Sequence, residues 1–374
     1  MPISDWTDTF LDQMRQVGDP VADRVVESLY AGGQVSEVNR LLGSLVNLDD
    51  VPSELLPDVA NAYFVETAAL PEWINWDDVL KGQEVFSRLG PMAVLALNCA
   101  SLPECYAAAQ GAEVLLLSGR MSKNPGRRII ETAQFVIDVM APGGLGPDGV
   151  GIRTIQKVRL IHAAVRFLVK KHGQWDPESG TPINQEDQAG TLLAFSWVVL
   201  RCLKQISVDF EPEEKRAYLH AWRVVGHFLG VDERFLTDDP EEARALVERI
   251  QTRHHRASPA GRELTKVLID QVGEWLPGRF MDGVVVAMMR HWLSPEVVEY
   301  LDIPKAGWTR MLIGPLCWLN RVLDSAADES APVRRFTQAF GRKLVNHLHH
   351  AYRGEHRTEF LLPESLRKEW RIAD

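Results

Sequence analysis

Nothing in the chain is apolar and uncharged for long enough to cross a membrane. The longest such stretches, Leu89–Leu102 and Leu192–Leu200, fall short of the roughly 20 residues a span requires, and Gly90-Pro91 interrupts the first. The opening MPISDWTDTFLDQMRQVGD carries early acidic residues and no apolar run behind a basic start, unlike a secretory signal. A cytoplasmic protein without a transmembrane segment is expected. Cysteine is scarce: Cys99, Cys105, Cys202 and Cys317 are scattered, with no C-x-x-C pair for zinc and no C-x-x-C-H for covalent haem attachment, so reduced core residues are expected. Positive charge is in deficit, 41 Lys and Arg against 51 Asp and Glu for a net −10, which leaves no broad basic surface and argues against a nucleic-acid partner. Alternating strand patterns, a repeat period and a phosphate-cradling glycine motif are also missing. With no E-x-x-H anywhere, a di-iron bundle or a zincin is disfavoured, and His220 and His227, seven residues apart, read as structural.

What is present is an ordinary globular mixture, 45% hydrophobic and 25% charged, in which helical periodicity punctuated by proline runs from end to end. The expected fold class is all-α: a large globular helical domain enclosing a pocket over residues 1–257, and a helical C-terminal extension, 258–374, packed on the same core. Within it, Trp6–Asn47 reads as helical with a break at Gly32-Gly33. Pro103-Glu104 opens a helix, ECYAAAQGAEVLLLSGR, rich in small residues that let backbones or a flat ligand approach. Met311–Leu323 and Pro332–Tyr352 read as amphipathic helices.

The rest is organised around Ile152–His172, IRTIQKVRLIHAAVRFLVKKH. At about 100° per residue, Arg159, His162 and Arg166 fall within about 60° of one another on a helix that is otherwise apolar nearly all round. A buried arginine needs an anion. Two arginines beside one histidine suit a flat, apolar ligand with acidic edges and a nitrogen ligand, and haem fits that description. The plainer alternative is that the histidine is a satisfied core residue and the arginines pair with carboxylates elsewhere in the fold.

Before this helix lies another, RRIIETAQFVIDVM, in which Arg128, Glu131, Thr132, Phe135 and Val139 share one face. The Gly/Pro-rich loop Ala141–Gly151 joins the two and favours an antiparallel hairpin, whose register places His162 level with Ile130, between Arg128 and Thr132. Glu113 is the one mid-helix charge of its segment. Buried, it would be paired or raised in pKa; on a half-exposed helix it would face solvent.

The pairing of R-x-x-x-T, Arg128 to Thr132, with VRLIHAAVR, Val158 to Arg166, resembles the haem-dependent oxygenases related to latex-clearing protein and MpaB. The resemblance extends from about Ala22 through GTPINQED and LLAFSW to YLHAWRVVGHFLGV. It implies an all-α fold, non-covalent haem b, His162 as the axial iron ligand, and Arg128 and Thr132 over the opposite haem face. Arg166, and more weakly Arg159, would then meet haem propionates. Where latex-clearing proteins can carry a lysine directly before the threonine, this chain has Glu131, which is expected at the pocket mouth, turned to solvent or a cation, or acting as a base. Glu113 is the other candidate base, since the family's catalytic glutamate lies on the preceding helix.

The resemblance implies an oxygenase that uses dioxygen on a hydrophobic small-molecule or polymeric substrate, with cleavage of an isoprenoid or lipid-like C=C bond in view. A non-catalytic haem- or lipid-binding helical protein and a haem peroxidase or peroxygenase are the competing readings.

Overall fold

Proline begins helix after helix, because its missing N–H is one that a helix's first turn leaves unpaired anyway. The computed structural model describes residues 5–31, 58–118, 125–146, 149–171, 173, 175–275, 282–307, 311 and 314, and these are mostly helical. The helices are α1 (Asp8–Arg15), α2 (Pro20–Ala31), α3 (Asp58–Glu66), α4 (Trp76–Leu89), α5 (Pro91–Ala96), α6 (Leu102–Ala107) and α7 (Ala109–Leu117). There follow α8 (Pro125–Met140), α9 (Gly151–Lys171), α10 (Gln185–Phe195), α11 (Trp197–Gln205) and α12 (Pro212–Phe228). The last are α13 (Pro240–His254), α14 (Pro259–Trp275), α15 (Asp282–Trp292) and α16 (Pro295–Tyr300). Side-chain caps reinforce the starts: Asn75 accepts from the backbone of Asp77 and Asp78, Asn184 from Asp187, and Asp239 from Glu241 and Glu242.

The all-α expectation holds. Among the described residues no helix is long and apolar enough to cross a membrane, and the β content is one isolated bridge, Ala108 to His255. That bridge corrects the single helix expected from Pro103 onward. A π-helical turn, Leu97–Ser101, runs directly into α6, and Ala108 then turns extended at φ −73°, ψ 94°, so that α7 starts with a new phase. The N-terminal helix is likewise two: the chain breaks between α1 and α2, at Val17 to Asp19. Apart from Met311 and Gly314, the expected helices Met311–Leu323 and Pro332–Tyr352, and the Gly32-Gly33 break, lie outside the described residues.

One apolar core runs from Trp6 to Ile303, so α14 to α16 pack into the same interior as the helices before residue 258. Its tightest seam is α4 on α12, where a Cβ on Gly82 would stand 2.3 Å from the Ala217 carbonyl oxygen; only glycine permits that approach. Helix α9 is buried on several sides at once. Ile155 joins the main core, Leu160, Ala163, Ala164 and Leu168 pack on α2 and α3, and Val165 and Val169 meet Val114 and Trp175. Each of the Val, Leu and Ile side chains among these contributes about 1.5–3 kcal/mol by leaving water.

Candidate active site

Between α6, α7, α8, α9, α10 and α12 lies a cavity of about 230 Å³. Its walls are mostly aliphatic and aromatic: Val114 and Leu115 from α7, Phe135 from α8, Ile161 and Val165 from α9, Leu192 and Phe195 from α10, and Trp222 from α12. Polar groups join them: His162 from α9, Glu131 and Thr132 from α8, Asp187, Gln188 and Thr191 from α10, and Ser118 just after α7.

The hairpin of α8 and α9 is what brings His162 to Glu131 and Thr132. Its connecting loop closes on itself through the Gly151 N–H to the Gly144 carbonyl at 2.8 Å, while the Thr154 hydroxyl reaches Asp138 across the two helices at 3.2 Å. Arg128 stands one helical turn before Thr132 on α8; its side chain lies outside the described residues.

Of the positions expected for Glu131, the solvent-facing one is not taken: at 2% exposed it is turned inward onto the cavity, because the face it shares with Thr132 and Phe135 is the one that packs on α9. Glu113 takes the solvent-facing of its two readings: it is exposed and absent from the cavity wall, which leaves it without support as a base. The physical cause is the break at Ala108, which resets the helix so that Ala112 and Val114 are buried on either side of it.

Arg159 and Arg166 also stand elsewhere. Neither lines the cavity. The Arg159 fork grips Asp19, with Nη2 to Oδ1 at 2.8 Å, while Gly230, at φ +76°, lies flat against the guanidinium where a Cβ would come within 2.5 Å. Arg166, 2% exposed, donates from Nε to Asp23 at 2.8 Å and from Nη1 to the Ile183 carbonyl at 2.7 Å. Both are held by carboxylates at the start of α2, as the plainer reading of the sequence allowed. Their position gives no support to a grip on cofactor carboxylates.

His220 and His227 have partners of their own. His220 Nδ1 lies 2.8 Å from Asp238 and its Nε2 accepts from the Asn75 N–H at 3.0 Å, while His227 lies 3.7 Å from Glu233. Trp73 stacks edge-on between them, with ring centroids 5.9 and 5.7 Å away.

The donor set of the cavity restricts what it can hold. Burial pushes the Cys105 thiol up to about 12, so it stays protonated and offers no thiolate. Among the described residues no cluster of three or more His, Cys, Asp or Glu is placed to hold a bare ion. A metal beside His162 would therefore have to bring most of its ligands with it, as iron in a porphyrin does.

Residues 83–323 match the family model described as ER-bound oxygenase mpaB/B′/Rubber oxygenase, catalytic domain. The chain belongs to this oxygenase family. It is 27% identical over 292 residues to the rubber oxygenase of Streptomyces sp. (strain K30), covering 77% of this chain and 71% of that protein. Its fold matches the structure of latex clearing protein LCP in the closed state with a TM-score of 0.72 at 25% identity, over 88% of this chain and 90% of that one.

Sequence reasoning missed Asp187, which belongs to the segment GTPINQED that carried part of the family resemblance. Its signal was local: Asn184 followed three residues later by an acid marks a helix start, and helix starts that end a loop often face a cavity. Trp222, buried in α12 and lining the cavity, was equally unmarked.

Proposed function

We propose that this member of the oxygenase family binds haem b through His162 and uses dioxygen on an unsaturated, hydrophobic substrate, isoprenoid or lipid-like, breaking a C=C bond to leave carbonyl ends. One observation carries the proposal: a single imidazole, His162, shares the wall of a mostly apolar cavity with Glu131 and Thr132. Haem, when bound, supplies the activation of dioxygen, and the chain supplies orientation and electrostatics.

Each wall has a part. The side chains of Val114, Leu115, Phe135, Leu192 and Phe195 offer an alkene a surface without hydrogen bonds and keep water out. The Thr132 hydroxyl is a donor fixed in place beforehand, suited to stabilising negative charge that develops on oxygen in so dry a setting. Arg128, one turn earlier, is assigned the same role. The Glu131 carboxylate, which lines the cavity beside Thr132, is assigned the removal of an allylic proton from the substrate and its return.

The purified protein should show a Soret band that shifts with carbon monoxide, together with oxygen uptake and carbonyl products on cis-polyisoprene oligomers or unsaturated lipids. Absence of the band removes the haem assignment. A band without oxygen uptake on any alkene supports a carrier, and turnover only with peroxide supports a peroxygenase. Replacing Thr132 with alanine should leave the Soret band intact and lower turnover about 100-fold; unchanged turnover would remove Thr132 from the site.

A further inference from the structure

A second cavity, about 60 Å³, adjoins the first, with Cys105, Gly111, Asp187 and Thr191 forming part of both walls. Its character differs. Glu104, Gln251, His254 and His255 border it beside a few aliphatic groups, and it has room for about two waters.

The charges around it already have partners. Glu104 is ion-paired with Arg201 and accepts from Gln251 Nε2 at 2.6 Å, while Asp187 accepts from Arg15 Nη1 at 3.2 Å and from Asn184 Nδ2 at 2.7 Å. His254 Nε2 lies 2.9 Å from Glu186 Oε2. Burial, with the charges of His254 and Arg201, pushes His255 down to about 4, so that ring is uncharged near neutral pH. Among the described residues no three His, Cys, Asp or Glu are grouped to hold a metal ion. A cation finds no spare carboxylate in this wall and an anion no spare cation, which leaves a neutral polar group as the matching occupant.

One hydrogen-bonding group in the wall is unsatisfied. His254 is 6% exposed, and its Nδ1 is buried with no hydrogen-bond partner among the described residues. Depending on the ring's tautomer and charge that nitrogen donates or accepts, and a hydroxyl can answer either, whereas an ether or a carbonyl can only accept. Between the two cavities stands Gly111. It belongs to both walls, and a Cβ placed on it would meet nothing within 4 Å. Glycine weakens a helix, so its presence inside α7, where alanine would fit without a clash, is explained by the space it keeps open.

We infer that the second cavity is a subsite for the hydroxyl end of an unsaturated long-chain alcohol, whose apolar chain passes Gly111 into the main cavity. The hydroxyl pairs with His254 Nδ1, and the small volume admits a terminal CH2OH group and little more. Water offers the same hydrogen bonds, so an alcohol has to be told apart from water by what its chain adds in the larger cavity and by what its hydroxyl adds in the smaller one.

As a statement of substrate class this inference rests on the function proposed above, so its first test reads binding, which needs neither haem nor turnover. Calorimetric titration of the full chain with dodecan-1-ol, 1-methoxydodecane and dodecanoate should give the alcohol an affinity about tenfold or more above the ether and the carboxylate. Gly111→Leu should fill the passage and bring alcohol and ether to equal affinity. Gly111→Ala, with one methyl in the same space, should reduce the alcohol's advantage and raise the melting temperature. Equal or undetectable affinities in the wild type mean that the small cavity takes water only and overturn the inference, as does an alcohol preference that both variants leave unchanged. Should Gly111→Leu not fold, Gly111→Ala decides. In the haem-loaded enzyme an unsaturated long-chain alcohol should show a KM about tenfold below that of its methyl ether at similar kcat. Equal KM values overturn the subsite and leave the proposed function standing; an alcohol preference in binding without a Soret band does the reverse.

Discussion

Helix α9 presents two sides that the sequence could not separate. Arg159 and Arg166 look out towards α2, where each is closed off by a carboxylate, whereas His162, within about 60° of arc, looks onto α8 and an open cavity. One side is finished and the other is not. A long, charged side chain that reaches a partner in a tight interface locks two helices together, and a short aromatic one facing a gap is left to serve a ligand. The same residue pattern thus contains an anchor and a site.

Breaking the anchor should have the largest effect on the fold. Arg166→Ala strips a buried carbonyl and Asp23 of their donor, and a loss of about 3 kcal/mol in urea unfolding is expected. Arg166→Lys should recover little of it, since an ammonium cannot reproduce the fork that reaches both groups. Arg159→Ala should cost somewhat less, about 2 kcal/mol, because Arg159 and Asp19 form a pair without the added backbone carbonyls. If either variant unfolds as the wild type does but loses haem, the arginine belongs to the site after all.

On the other side of the helix, His162→Ala should change unfolding free energy by no more than about 1 kcal/mol while abolishing haem retention, because the imidazole faces a cavity and not a packed interface. A full Soret band in that variant would contradict the axial assignment. The contrast between large stability loss at Arg166 and large cofactor loss at His162 is the sharpest form of the comparison.

The smallest effect concerns a remote anchor. Asp238, hydrogen-bonded by His220 and Arg223, is held at about 2, well below its unfolded value. A depressed carboxylate pKa stabilises the fold above the unfolded pKa, near 4, and that contribution disappears as pH falls from about 4 towards 2. Asp238→Asn should therefore flatten the acid limb of a stability profile, seen in melting temperature between pH 5 and 2, and leave haem content unchanged. An identical limb in wild type and variant would show that other carboxylates set it.

Much of the site was legible for a local reason. His162, Glu131 and Thr132 lie on two helices joined by a short loop, so their meeting follows from helix phase and hairpin register alone. Ambiguity remained where phase was interrupted: Glu113 kept two readings because Ala108 turns extended to bridge His255, 147 positions later in the chain, and no periodicity within α7 records that. Glu131 was expected at the pocket mouth, turned to solvent or a cation, or acting as a base; packing of the face it shares with Thr132 and Phe135 turned it inward.

The sequence by itself determined that this chain is helical, where most helices begin, and that one buried helix carries a histidine between two arginines, because proline placement, capping and apolar period act over a few residues. Only the tertiary structure decided that Asp19 and Asp23 take the arginines and that Asp187 stands between two cavities beside Arg15 and His254. These partners are separated by up to 239 positions in the chain, and ion pairing depends on distance in space, which no local pattern encodes.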